Sequence, residues 1–235
     1  MSGGIGSRLY PITREIPKAM VRIGDQPILE IIINQLAYYD FRDITLVTNH
    51  KDGQIKSYFG DGHPFGARIT YLRERLPLGT VGAIGLIKDL QGDFLLMNCD
   101  ILTDLDFGAM MDRHKSSDNT ATVLAVEHEE QYPYGVLSIK DGIVHDVDEK
   151  PSVSVHIYGG VSIFRAEVAR SIPATTRMDA PELLGKLLQN GRVGTVLFKG
   201  IWVDIGSMKH YEMALELYQN NRDRISKKLS VSNEG

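Results

Sequence analysis

This sequence predicts an α/β fold, a mostly parallel mixed sheet flanked by helices. Two features carry that reading: nearly continuous apolar strands that alternate with helical segments in the first half, and an Asp-Gly turn between two strand-like runs in the second. Strands that are apolar along their whole length belong to sheets covered on both faces, and alternation with helices makes such sheets mostly parallel. The chain has 235 residues, 43% hydrophobic and 24% charged, enough for one sizeable core. It reads as one domain over 1–235, with halves at 1–118 and 119–206 and a C-terminal helix and tail at 207–235.

The elements follow in order. PILEIIINQLAYY (27–39) places apolar residues at helical spacing behind a proline suited to a first turn, and DITLVTN (43–49) is a β-branched strand. GQIKSYFG reads as a short helix, ARITYLRE as a strand, TVGAIGLIKDL as a small-residue helix and DFLLMNCD as an apolar strand ending on a carboxylate. Beyond residue 120, ATVLAVE is a strand, and GVLSIK and IVHDVDEK flank Asp141-Gly142, a strong short-range hairpin signal. HIYGGVSIF and VGTVLF add strands, and DAPELLGKLLQ is a helix with Pro181 near its start. SMKHYEMALELYQNNRDRI is a long terminal helix with Ser207 placed as its N-cap, before a polar tail expected to fray.

Composition narrows the partners. The 26 basic and 30 acidic residues, net charge −4, are spread along the chain with no basic block, so no nucleic acid is expected. Cys99 is the single cysteine, which excludes an internal disulfide and a cysteine-based zinc site and fits a reducing, cytoplasmic setting. No apolar run approaches the roughly 20 residues that span a bilayer, so no membrane partner is expected. None of the seven histidines falls in a metal-spaced pair.

The chain opens MSGGIGSRLYPITREIPKAM, a loop with no strand in front of it. In a doubly wound sheet, a glycine-rich loop after the first strand brings backbone N–H groups against phosphates. The spacing Gly3-Gly4-x-Gly6-x-Arg8 matches neither GxGxxG nor the P-loop ending GK[ST]. Arg8 supplies a bidentate fork and Lys18 a point charge, and Pro11 and Pro17 stiffen the segment between them.

These residues carry a family resemblance. GGIGSRLYPITREIPKAM resembles the signature GGxGTRLxPxTxxxPKxM of the sugar-1-phosphate nucleotidylyltransferases, the pyrophosphorylases that make nucleotide sugars. PILEIIINQL, RERLPLGTVGAI, LLMNCD, YPYGVL, DEKP, YGGVSIF and WVDIGS agree in order, so the resemblance runs from Ser2 to about Leu217. RERLPLGTVGAI is closest in wording to the mannose- and heptose-1-phosphate guanylyltransferase-like branch. The resemblance implies a Rossmann-like fold of the nucleotide-diphospho-sugar transferase type, with a β-hairpin sugar-binding subregion. Members carry an apolar strand directly before the double glycine, so the first strand is expected to be missing here. Met1 is accordingly read as an internal methionine of a longer protein, or as a start that removes that strand.

Making a nucleotide sugar requires an already anionic sugar-phosphate oxygen to attack the α-phosphorus of a nucleoside triphosphate while pyrophosphate leaves in line. No side-chain nucleophile is needed; catalysis comes from positioning and from cancelling phosphate charge. That calls for Mg²⁺ held by one or two carboxylates, with arginine and lysine around the leaving group. Asp100 stands where a carboxylate at a strand end serves a metal, and Asp204 in WVDIGS supplies a second oxygen. The family pattern implies metal ligation by Asp100 and Asp204, phosphate contacts by Arg8 and Lys18, and a catalytic set of Arg8, Lys18 and Asp100. Each aspartate also has the simpler role of a turn or cap residue, and Cys99 reads as a small buried filler.

Nucleotide contacts are expected from Gly3, Gly4, Gly6, Ser7 and Arg8, and base contacts from Leu78, Gly79 and Thr80 with Glu74 close by, a carboxylate able to accept from guanine. This leans to GTP. On the sugar side, Tyr134-Gly135 lets backbone approach a hexose, Glu149-Lys150 offers an acceptor for hydroxyls and a cation for the phosphate, and Gly159-Gly160 follow. Where relatives commonly read N-A-G or N-G-G, this chain has Tyr158-Gly159-Gly160, which removes an amide and leaves the sugar open.

The expected activity is transfer of a nucleoside monophosphate from an NTP to a sugar 1-phosphate, mannose-1-phosphate-like, with a homodimer open as the assembly. A non-catalytic nucleotide-sugar-binding module, and a nucleotidylyltransferase using another base or a non-sugar phosphate, are the alternatives. A glycosyltransferase would show a compact DxD motif, whereas Asp100 and Asp104 stand four apart.

Overall fold

The computed structural model describes residues 9–48, 52–74, 76–87 and 90–227, so Gly3, Gly4, Gly6, Ser7, Arg8 and the tail from 228 lie outside the described residues. Strands β1 (Arg22–Ile23) and β2 (Gln26–Pro27) form a small hairpin that leads into α1 (Ile28–Tyr38). Then come β3 (Asp43–Thr48), α2 (Gly53–Phe59), β4 (Arg68–Arg73), α3 (Gly79–Gly82), β5 (Phe94–Met97), β6 (Ile101–Thr103) and α4 (Phe107–Lys115). The second half holds β7 (Ala121–Gln131), β8 (Gly135–Lys140), β9 (Ile143–Glu149), β10 (Ser152–Phe164), α5 (Ala166–Ser171) and α6 (Ala180–Asn190). Finally β11 (Val193–Phe198) and β12 (Trp202–Asp204) precede α7 (Met208–Asn220) and α8 (Arg222–Ile225).

The architecture is the expected α/β arrangement with a mixed sheet, but its parallel share is smaller than the sequence predicts. Four strands run in the order β11-β7-β10-β5, with β7 and β11 parallel and β10 antiparallel to both neighbours. The reason lies in the connection. The β8–β9 hairpin occupies nearly all of the chain between β7 and β10, leaving no helical crossover of the length that parallel pairing needs. Among the described residues β3 pairs only with β4, in parallel, and a cavity of about 350 Å³ lies between β3 and β5.

Helix α1 explains how two cores share one wall. Its apolar residues go almost all the way round, a pattern that belongs to a helix covered on more than one side. Ile28, Ile31, Ile32 and Leu36 join the core beneath β5, β6 and α7, whereas Leu29 and Ile33 pack with Leu46, Ile55 and Phe59 beneath β3 and α2. Buried Gln35 ties the helix down, its amide donating to Thr103 O at 2.6 Å and to Ile225 O at 2.8 Å.

Two local expectations meet different outcomes. Asp141 (φ 53°) and Gly142 (φ 78°) both turn left-handed between β8 and β9, as a two-residue Asp-Gly hairpin requires. The helix expected over 80–90 instead winds as one α turn, Gly79–Gly82, and a 3-10 turn, Ala83–Leu86. Glycine weakens an α-helix, and residues three apart eclipse in a 3-10 turn. Gly79, Gly82 and Gly85 have that spacing and lie so close to the 172–178 segment that a Cβ on any of them would come within 2.4–2.6 Å of its carbonyl oxygens.

Ser207 caps α7 as expected, its side chain accepting from the His210 N–H at 3.3 Å. Ser207→Ala should therefore cost about 1 kcal/mol. Urea unfolding checks this: the midpoint should drop with no change in the slope against urea. The described residues contain no helix long and apolar enough to cross a membrane.

Candidate active site

Three charged groups from distant parts of the chain meet at one end of the sheet. The Lys18 ammonium donates to Asp100 Oδ2, and it lies 3.9 Å from Asp204 Oδ1. Lys18 and Asp100 are mostly buried, with 14% and 16% of their side chains exposed, whereas Asp204 is about half open at 48%.

Local structure explains the meeting. Lys18 opens a single 3-10 turn, Lys18–Met20, after Pro17, whose fixed φ of −59° and extended ψ of 147° set the entry angle. Its neighbour Ala19 is fully buried in the same apolar cluster as Cys99, the residue before Asp100. Each buried residue thus delivers a charged neighbour to the same spot. Asp204 arrives differently: β12 pairs antiparallel with β6, in register Asp204 opposite Ile101, and the Ile205 N–H donates to Asp100 O at 2.9 Å.

One placement differs from expectation. The strand DFLLMNCD ends at Met97, and Asp100 sits in the turn beyond it. Pairing stops because the Asn98 N–H completes the ladder on Gly160 O at 3.0 Å and the chain then turns to start β6. Cys99 is the buried filler the sequence predicts, and burial pushes its thiol up to about 11.

The donor set suits a hard divalent cation. Asp100 Oδ1 is buried with no hydrogen-bond partner among the described residues, and an uncompensated buried carboxylate oxygen is costly. The described residues hold no group of three or more metal-ligating side chains. Mg²⁺ does not need one, because it takes one or two carboxylates and fills the rest of its shell with water and phosphate oxygens.

The residues expected at the base form a second, connected cluster. Glu74 follows β4 and accepts from the Leu78 N–H at 3.2 Å, and burial raises its carboxyl above the ordinary range while that amide pulls it partly back. Gly79 has φ +79°, and the Thr80 N–H donates to Asp179 Oδ1 at 3.0 Å while Thr80 Oγ1 accepts from the Ala180 N–H at 2.8 Å. Asp179 is a residue that motif reading missed. Its signal was the sequence DAPELL, an aspartate ahead of a helix start.

The sugar-side residues divide. Gly135 and Glu149 are cross-strand partners, and the bare Cα of Gly135 leaves room for the Glu149 carboxylate; the Lys150 N–H donates to Tyr134 O at 3.3 Å. This arm is exposed throughout, and no hydrogen bond or ion pair among the described residues links it to Lys18, Asp100 or Asp204. Gly159 and Gly160 sit at an irregularity in β10, where packing accounts for both: Leu124 and Val126 crowd Gly159, and Ile101 and the Asn98 amide crowd Gly160. Tyr158 turns into the core beside Phe94 and Phe164, its hydroxyl 2.9 Å from Ser162 Oγ, so it is no substitute for the absent amide.

Residues 1–221 match the model of the family described as Nucleotidyl transferase. The chain belongs to that family. This nucleotidyl transferase is 28% identical over 244 residues to the mannose-1-phosphate guanylyltransferase catalytic subunit beta of Dictyostelium discoideum, covering 99% of this chain and 67% of that one. It is 29% identical over 246 residues to the mannose-1-phosphate guanyltransferase of Saccharomyces cerevisiae, covering 97% and 66%. It thus spans about two thirds of the length of these relatives. Among solved structures, HddC from Yersinia pseudotuberculosis complexed with GMP-PN aligns with a TM-score of 0.69 and 25% identity, over 92% of this chain and 96% of that one. A Bacillus anthracis protein named as a glucose-1-phosphate thymidylyltransferase, crystallised with sucrose, shares the fold at a TM-score of 0.78, with 24% identity and 93% of each chain covered. Family and fold are those implied by the ordered motifs.

Proposed function

We propose that this nucleotidyl transferase moves a nucleoside monophosphate, GMP by preference, from its triphosphate to a sugar 1-phosphate of the mannose type. A phosphate oxygen of the sugar bonds to the α-phosphorus, the bond from that phosphorus to the bridging oxygen breaks, and pyrophosphate departs with the electron pair. The observation that carries the reading is the Lys18, Asp100 and Asp204 cluster, one cation facing two carboxylates where phosphate charge must be managed. The mannose-1-phosphate guanylyltransferase relatives and the GMP-PN complex of HddC support the base and the sugar.

In this reading Asp100 and Asp204 hold Mg²⁺, which when bound draws charge off the phosphate oxygens. Lys18 neutralises the reacting phosphates, and Arg8, with Gly3, Gly4, Gly6 and Ser7, holds the triphosphate. The segment Leu78 to Thr80, fixed by Glu74 and Asp179, faces the base. Gly135, Glu149 and Lys150 take the sugar phosphate from the 119–206 half, together with Gly159 and Gly160 at the irregularity in β10, while the 1–118 half takes the nucleotide.

The test is a matrix of four NTPs against several sugar 1-phosphates with Mg²⁺, read by pyrophosphate release. GTP with mannose 1-phosphate should give the highest kcat/KM. No release from any pair would favour a binding module, and transfer of a whole sugar to an acceptor would make it a glycosyltransferase; either result overturns the proposal.

A further inference from the structure

Gly159 and Gly160 fall outside both registers of β10, which pairs with β7 up to Tyr158 and again from Ser162, and with β5 from Val161. Both glycines are buried, so their carbonyls need donors from other segments. The Trp202 indole N–H donates to Gly159 O at 2.9 Å, and the Asn98 N–H donates to Gly160 O at 3.0 Å. Trp202 stands two residues before Asp204, and Asn98 two before Asp100. Each carboxylate is thus tied by its own strand end to the same pair of glycines.

The ties are short and stiff. Residues two apart on a strand project from one face, so the Trp202 ring and the Asp204 carboxylate share a side of β12 while buried Val203 takes the other. The glycine pair has little play of its own: Gly160 is left-handed at φ +69°, and a Cβ there would stand 2.5 Å from Ile101 Cδ1 and 3.0 Å from the Asn98 side-chain amide, residues on either side of Asp100. The Ile205 N–H on Asp100 O at 2.9 Å closes the circuit between the two carboxylates.

We propose that Trp202 is a positioning residue: by holding Gly159 it couples the Gly159–Gly160 segment to Asp100 and Asp204, so that a divalent cation on the carboxylates stiffens the segment and a sugar phosphate seated against the segment tightens the cation. This rests on the reading of Asp100 and Asp204 as Mg²⁺ ligands. The two effects are equal by linkage, whichever group binds first.

The probe is Mg²⁺ alone, added to the full chain and followed by amide hydrogen exchange along its length. Slowed exchange at 98–101 and 203–206 reports the cation at the carboxylates, and exchange slowed by about fivefold or more at 158–162 reports the coupling. Trp202→Phe keeps an aromatic ring and removes the donor. It should retain the response at 98–101 and lose that at 158–162. Trp202 is the single tryptophan, so growth of a tryptophan-requiring host on β-(3-benzothienyl)alanine replaces it with a ring of the same shape in which sulfur stands in for N–H. That protein decides the matter should Trp202→Phe not fold. In turnover, loss of the donor should raise KM for the sugar 1-phosphate by about fivefold, well beyond any change in KM for the triphosphate. Protection of 158–162 that survives loss of the donor overturns the proposal, as does a parent chain in which 98–101 responds to Mg²⁺ and 158–162 does not. No response to Mg²⁺ anywhere overturns the metal reading, and the coupling falls with it. The exchange readouts involve no turnover, so they stand apart from the nucleotidyl transfer assay.

Discussion

Asp100→Ala is expected to lower turnover by about three orders of magnitude or more, the scale seen when preorganised charge stabilisation at a reacting phosphate or oxyanion is removed. The protein should still fold. Asp204 lies 3.9 Å from the Lys18 ammonium and keeps it partnered when Asp100 is gone, and Oδ1 of Asp100 makes no hydrogen bond among the described residues that folding would lose. Circular dichroism and pyrophosphate release on the same sample separate the two effects. Activity within a factor of about ten of the parent would remove Asp100 from the chemistry, because a ligand to the charge-bearing centre cannot be worth so little. A variant that no longer folds would instead assign the residue a structural task, and Asp100→Asn, which keeps the shape and removes the charge, then decides.

Gly79→Ala should destabilise the protein far more than Gly92→Ala, a glycine of similar φ. Two costs combine. Residue 79 has φ +79°, a region that side chains other than glycine enter at a cost of about 1–2 kcal/mol. Its new Cβ would also stand 2.5 Å from Met178 O and 2.7 Å from Asp179 Oδ1, and relieving such crowding costs about 1–3 kcal/mol more. A drop in Tm of about 5–15 °C follows for a chain of this length. Gly92→Ala is the matched control, since Gly92 has φ +70° but nothing within 4 Å of an added Cβ. It should show the first cost alone. The two also differ in function: displacing Asp179 and Thr80 should raise KM for the triphosphate, whereas Gly92→Ala should leave it alone. Equal losses of stability in both variants would show that crowding at 79 is relieved without cost.

What could be read in the sequence was what local chemistry dictates. The α1 periodicity, the Asp141-Gly142 hairpin and the Ser207 cap are each set by a few adjacent residues, and the structure has them where expected. Lys18 and Asp100 were legible because the ordered motifs assign both to one site, and the structure brings them into contact although they are 82 residues apart. Illegible features depend on what comes near in space. The 79–86 segment reads as helix until the 172–178 chain is laid against its glycines, and the reversal at β10 follows from a connection length rather than from the strand's composition. Asp179 escaped notice because its partner, Thr80, stands 99 positions away along the chain. Tyr158 was legible as the loss of an amide, but not where the ring goes: it packs against the cluster of Phe94 and Phe164.

The charged groups of the site are flanked along the chain by residues sealed in the interior: Ala19 beside Lys18, Cys99 and Ile101 around Asp100, Val203 and Ile205 around Asp204. Chemistry and solidity here are therefore neighbours by one peptide bond. A lineage cannot repack those interior positions freely without tilting the charged groups next to them, so an exchange at a buried position that itself bears no charge would still shift the geometry of the cluster.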